Sequence, residues 1–128
     1  MKEYPRHRLG RKGERAAARF LRGQGYRILR RNIRHRHDEL DLMALHPDGR
    51  TIVFVEVRTR REGTHAALYR SVDRAKQRRL YRSARSIINR YRLGDRHLRF
   101  DIITILWPQG GSPDIQHHPS AFSPGSRS

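Results

Sequence analysis

Carboxylates are scarce in this chain, 12 Asp and Glu against 29 Lys and Arg, so the places where they gather carry information. Five of them, Asp38, Glu39, Asp41, Asp48 and Glu56, fall in one stretch whose only Lys or Arg is Arg50. Glu39 and Asp41 are two apart and share a strand face; in the run TIVFVEVRT, Glu56 shares a face with Phe54 and Arg58. His46-Pro47-Asp48-Gly49 between the two runs is a turn signal, and the antiparallel hairpin it predicts brings Asp41 toward Glu56. Two carboxylates held together repel unless a proton or a divalent cation lies between them. Hard oxygen ligands suit Mg²⁺ or Mn²⁺, and Mg²⁺ is commonly held by one or two carboxylates plus water and substrate phosphate. Pairing of the same acids with the surplus arginines is the plainer alternative.

Two helical residues point at the same place. Lys76, the only lysine beyond residue 12, lies four after Val72 and four before Leu80, on the stripe that should face the sheet. Glu14 lies three before Ala17 and seven before Leu21, on or beside the apolar face of the first helix. Charges placed toward a core are costly unless they pair, coordinate something, or reach solvent from the edge of the stripe.

The elements that must position these groups follow from periodicity. Residues 7–23 read as an amphipathic helix ended by Gly23-Gln24-Gly25, and residues 26–32 as a short strand. The hairpin strands 39–45 and 51–59 follow a polar turn at 34–38. Residues 60–70 read as a loop, and Ser71 as the cap of a second helix with an apolar stripe of Val72, Ala75, Leu80, Ala84, Ile87, Ile88 and Tyr91, closing at Leu93-Gly94. The apolar strand 98–107 comes after a long helical crossover and is predicted to run parallel to 51–59. The order is α-β-β-β-α-β: an α/β domain over residues 1–107, with a mixed four-stranded sheet flanked by helices. Residues 108–128, rich in Pro, Gly and Ser, are predicted to be a disordered tail.

Composition narrows the function. With 128 residues there is room for one core. The absence of cysteine excludes disulfide scaffolds, thiol catalysis and thiolate zinc sites. No apolar run approaches a membrane span and the opening MKEYPRHRLG has no signal-peptide core, so the expectation is a cytoplasmic protein with no membrane partner. A net charge of +17 favours a polyanion, nucleic acid first, and 26 arginines against 3 lysines suit bidentate phosphate contacts.

The residues Gly10, Gly13-Glu14, Ala16-Ala17, Gly25-Tyr26, Asn32, Glu39-Leu40-Asp41-Leu42, Phe54-Val55-Glu56-Val57-Arg58-Thr59-Arg60, Val72, Lys76, Ala84 and Arg99-Phe100-Asp101 resemble the YraN, or UPF0102, family. The likeness runs over residues 9–105. That family is similar to the restriction-endonuclease-like superfamily of PD-(D/E)XK nucleases, Holliday junction resolvases included, whose αβββαβ core agrees with the order read above. The resemblance implies Asp41 and Glu56 as the two motif acids, with the Val57 carbonyl as a further metal ligand and Glu14 as a helical acid near the metal. Arg58 stands where the motif has lysine; arginine stays charged and can only position or stabilise anions, which makes Lys76 the candidate for a relocated lysine.

The function so implied is Mg²⁺- or Mn²⁺-dependent hydrolysis of phosphodiesters, in DNA rather than RNA and branched DNA among the substrates. Arg58 and Lys76 would face the scissile phosphate, Glu39 or Glu14 would order a water, and Arg60 and Arg61 would grip phosphate further along the strand. A homodimer is compatible with it, since a four-way junction offers two symmetric strands. The alternative is a non-catalytic nucleic-acid-binding module on the same fold; a basic RNA-packaging protein is a third reading. Minor candidates are a zinc site using His35, His37, Glu39 and Asp41 at alternate positions, a Gln77/Tyr81 pair on the helix surface, an ion pair between Asp101 and an arginine from either helix, and His117 and His118, to which no structural role is given.

Overall fold

The computed structural model describes residues 5–35 and 38–123, with side chains assigned from Arg8 onward except around 35–38. The chain runs α1 (Pro5–Gly23), β1 (Arg27–His35), β2 (Asp38–Leu45), β3 (Thr51–Arg60), α2 (His65–Arg70), α3 (Arg74–Tyr91), β4 (His97–Leu106) and β5 (Asp114–Phe122). The strands form one sheet in the order β1-β2-β3-β4-β5. β3 and β4 are parallel, with Thr51 opposite His97 and Arg60 opposite Leu106, and the other pairs are antiparallel. The helical crossover α2–α3 makes that parallel pair possible, because two residues of turn cannot return a chain to the same end of a sheet.

Each face of β3 is covered. On one side Val53, Val55 and Val57 pack with Leu42, Ile103 and Ile105 under Ala17, Ala18 and Leu21 of α1. On the other, Ile52 and Phe54 pack with Phe100 and Ile102 under Leu80, Ala84 and Ile87 of α3. Phe54 and Phe100 stack at 5.5 Å between centroids, and Tyr81 meets Phe100 edge-on at 4.9 Å. α1 lies so close to β3 that a Cβ at Gly13 would collide with Thr59 Oγ1, which is why a helix interior tolerates glycine there.

Four expectations are corrected. The 60–70 segment holds the short helix α2, capped by Thr64, whose Oγ1 accepts the Ala67 N–H at 3.0 Å, and anchored by buried Leu68. Asp73 rather than Ser71 caps α3, accepting the Lys76 N–H at 2.9 Å; Ser71 instead ends α2, its hydroxyl donating to the Leu68 carbonyl. α3 closes at Arg92 in the left-handed region (φ 56°), two residues before Gly94, and Ala75 and Tyr91 of its expected stripe are exposed. Finally, the segment expected to be disordered carries β5, so the sheet has five strands instead of four.

β5 lacks apolar alternation and contains Pro119, which only an edge strand accommodates. Polar side chains hold it. His117 Nε2 lies 2.7 Å from Asp101 Oδ2, His118 Nε2 lies 3.0 Å from Thr104 Oγ1, and the Ser120 N–H donates to Asp101 Oδ1 at 3.0 Å. Both histidines therefore have a structural role. The arginine on Asp101 comes from its own strand: Arg99, two residues earlier on the same face, donates to both carboxylate oxygens at 2.9 and 2.8 Å. Burial alone would raise the Asp101 pKa, but these hydrogen bonds and the Arg99 charge outweigh it and hold the carboxyl below its usual value. Among the described residues no helix is long and apolar enough to cross a membrane.

Candidate functional site

The β2–β3 ladder runs from the turn end, Leu45 opposite Ile52, as far as Leu42 opposite Val55. Beyond it β2 follows β1, with Leu40 opposite Ile33 and Glu39 opposite Arg34. Where the ladder ends, a side chain takes over the acceptor's place: Asp41 Oδ2 receives the Val57 N–H at 2.9 Å. That bond fixes the Asp41 carboxylate beside Glu56, the next residue back along β3.

Glu56 projects on the α3 side and is only 6% exposed. Its Oε2 lies 3.3 Å from Arg58 Nη2 and 3.7 Å from Lys76 Nζ. From the opposite layer, Glu14 of α1 is hydrogen-bonded to Asp41. Asp41 thus sits between two other carboxyls, one from each helical layer's side of the sheet. Burial first, then the Asp41 charge, pushes Glu56 from 4.5 up to about 8, against the pull of Lys76 and Arg58. Burial and Asp41 likewise push Glu14 up to about 8, with Arg34 pulling the other way and Glu39 adding to the rise. Near neutral pH Glu14 and Glu56 therefore hold their protons on either side of Asp41.

Among the described residues, no group of three or more His, Asp or Glu converges as a ready-made metal cage. The donor set nevertheless fits a cation that needs one or two carboxylates and keeps its water, as Mg²⁺ does. Two orphaned buried atoms speak to the same fit. Glu14 Oε1 is an acceptor and Arg58 Nε a donor, and neither has a hydrogen-bond partner. An orphaned carboxyl oxygen on one side of Asp41 and an orphaned guanidinium N–H on the Glu56 side are groups that a cation with its water and an attached phosphate would satisfy.

The remaining sequence candidates divide. Glu39 is exposed at the rim, opposite Arg34, and reaches the site only through its charge on Glu14. Val57 is tied in through its amide. Arg60 is exposed at the end of β3, and Arg61 Nη1 is occupied by the Trp107 carbonyl at 3.3 Å. The Gln77/Tyr81 pair is half-buried instead of on the surface, and its members separate. Gln77 donates to the Val72 carbonyl at 3.0 Å, while Tyr81 packs on Phe100 and Phe122. His37 lies outside the described residues, as does the side chain of His35. Arg34, read from sequence as turn, belongs to β1, lies opposite Glu39 and faces the acids electrostatically; nothing in the polar run around it marks the strand as extending that far.

Residues 13–105 match the family model described as "Uncharacterised protein family UPF0102". The chain is 43% identical to a UPF0102 protein of Pelobacter propionicus over 88% of its own length and 81% of that protein's. It is 43% identical to one of Syntrophotalea carbinolica, covering 93% of this chain and 94% of the relative. A Chlorobium limicola relative is 44% identical over 78% and 76% of the two chains.

Proposed function

The chain belongs to the uncharacterised protein family UPF0102, and from the carboxylates and cations gathered between α1, β2, β3 and α3 we propose that it is a divalent-metal-dependent nuclease acting on DNA. The observation that carries this reading is the Glu14–Asp41–Glu56 cluster faced by Lys76 and Arg58 inside a strongly basic chain. Asp41 and Glu56 would hold Mg²⁺ or Mn²⁺, with Glu14 accepting from a water beside it. When bound, the cation supplies charge that lowers the pKa of a water and stabilises the phosphoryl oxygens.

The chain's own residues do the rest. Val57's amide keeps Asp41 fixed, so that the carboxylate need not reorganise when substrate arrives. Arg58, permanently charged, orients the scissile phosphate with its unpartnered Nε. Lys76, one-quarter exposed, lies against Glu56 and sets a positive charge beside the reacting phosphate.

Purified protein is expected to nick duplex or branched DNA in Mg²⁺ and not in EDTA, with Asp41→Ala and Glu56→Ala each losing at least a hundredfold in rate. A wild-type protein inert on duplex, single-stranded and branched DNA in both Mg²⁺ and Mn²⁺ overturns the reading. One observation favours a non-catalytic binder: Lys76 and Arg58 already stand against Glu56, where a metal ion would have to sit. That reading predicts no Mg²⁺ binding by calorimetry, and nucleic-acid affinity unchanged or raised in Asp41→Ala.

A further inference from the structure

A groove of about 340 Å³ runs between β1 and the last turns of α3. Residues 30–34 line it from one side, Ile87, Arg90 and Tyr91 from the other. In a regular strand successive side chains point to opposite faces, so five consecutive residues cannot share one groove. β1 is not regular there: its register against β2 shifts between Ile28 and Arg30, and Asn32 adopts φ 50°. The irregularity turns Arg30, Arg31 and Arg34 toward one channel, opposite Arg90, and the lining contains no carboxylate. Charge on an edge strand alone would serve to discourage strand pairing. Such protection has no use for an exposed aromatic, yet Tyr91 is 38% exposed, with the Arg30 guanidinium 5.0 Å from its ring centroid. A cationic channel with a π-face in it is the pairing that recognises unstacked bases on a charged backbone. The channel also leads toward the carboxylates, since Arg34 at its end lies opposite Glu39 on β2, two residues before Asp41.

We propose that this groove binds a single polynucleotide strand, a base stacking at Tyr91 and the backbone passing Arg30, Arg31 and Arg34 toward the carboxylate cluster. The inference rests on the nuclease reading for its direction and names the substrate class: DNA with a single-stranded arm.

Fluorescence anisotropy with a labelled oligodeoxythymidylate of about 20 nucleotides and a blunt duplex of equal length, both in EDTA, tests it without cleavage. The single strand is expected to bind more tightly. Tyr91→Ala should weaken it roughly tenfold and leave the duplex unchanged, with Tyr91→Phe retaining wild-type affinity. The double variant Arg30→Ala/Arg31→Ala should reduce the slope of log K against log salt by about 1.4. Equal single-strand affinity in wild type and Tyr91→Ala overturns the proposal. So does preference for the duplex, or binding to phosphatidylglycerol vesicles that depends on these residues when oligonucleotide binding does not. Tyr91-dependent strand binding in a protein that cleaves nothing in Mg²⁺ keeps the groove and removes the nuclease reading. Cleavage with strand binding indifferent to Tyr91 does the reverse.

Discussion

Burial and the charge of Asp41 hold the carboxyls of Glu14 and Glu56 where a folded protein near neutrality carries their protons. Both groups bind a proton more tightly folded than unfolded. Their contribution to stability is therefore full below the ordinary value of 4.5 and is lost as pH rises through about 8. In EDTA, urea midpoints of the wild type are expected to fall from pH 5 to pH 9, and Glu56→Gln, which cannot ionise, to flatten that fall by a few kcal/mol. Identical slopes in the two proteins would refute the assignment. His118 works with the opposite sign: burial and the neighbouring His65 and His117 lower its pKa, so its cost appears only as pH drops below 6.5. The approach of Asp41 to Glu56 was legible in sequence because two-residue alternation and one turn signal define a hairpin face. Glu14 and Lys76 were legible from helical spacing. The Asp41–Val57 bond was not, since no pattern says where a ladder stops.

At the scale of elements, the site depends on how near α1 can come to β3. Gly13 sets that distance against Thr59. Gly13→Ala is expected to destabilise by about 1–3 kcal/mol through overpacking and to move Glu14 off Asp41. Thr59→Ala in the same chain should restore part of the loss, because it removes the atom that a new Cβ meets. Thermal melting of the four proteins of this cycle measures the coupling, and strict additivity would deny the contact. The elements that escaped the sequence share a cause. α2 has six residues, too few to show a helical period. β5 is attached by His117, His118 and the Ser120 amide, and their partners Asp101 and Thr104 were invisible without the tertiary structure.

For the whole molecule, β5 is the covering of the β4 edge. Without it Ile102, Ile103 and Ile105, all buried, would lie along an open strand, and Asp101 would keep Arg99 but lose His117 and the Ser120 N–H. A chain ending at Trp107 is expected to melt at lower temperature and to scatter light on standing. A truncated protein as stable and as monodisperse as the full chain would show that β5 is dispensable. The other edge, β1, pairs with no further strand among the described residues and instead exposes arginines. The sheet is closed on one side by a strand and guarded on the other by charge.

The bond from the Val57 amide to Asp41 makes one backbone resonance a spectator of the site. The proton on that nitrogen sits against a carboxylate oxygen, so its chemical shift follows the charge that the oxygen carries. Titrating acid, Mg²⁺ or an oligonucleotide can each be followed at that one peak in a nitrogen–proton correlation spectrum. The path it takes distinguishes a proton from a metal ion at Asp41 with no turnover needed.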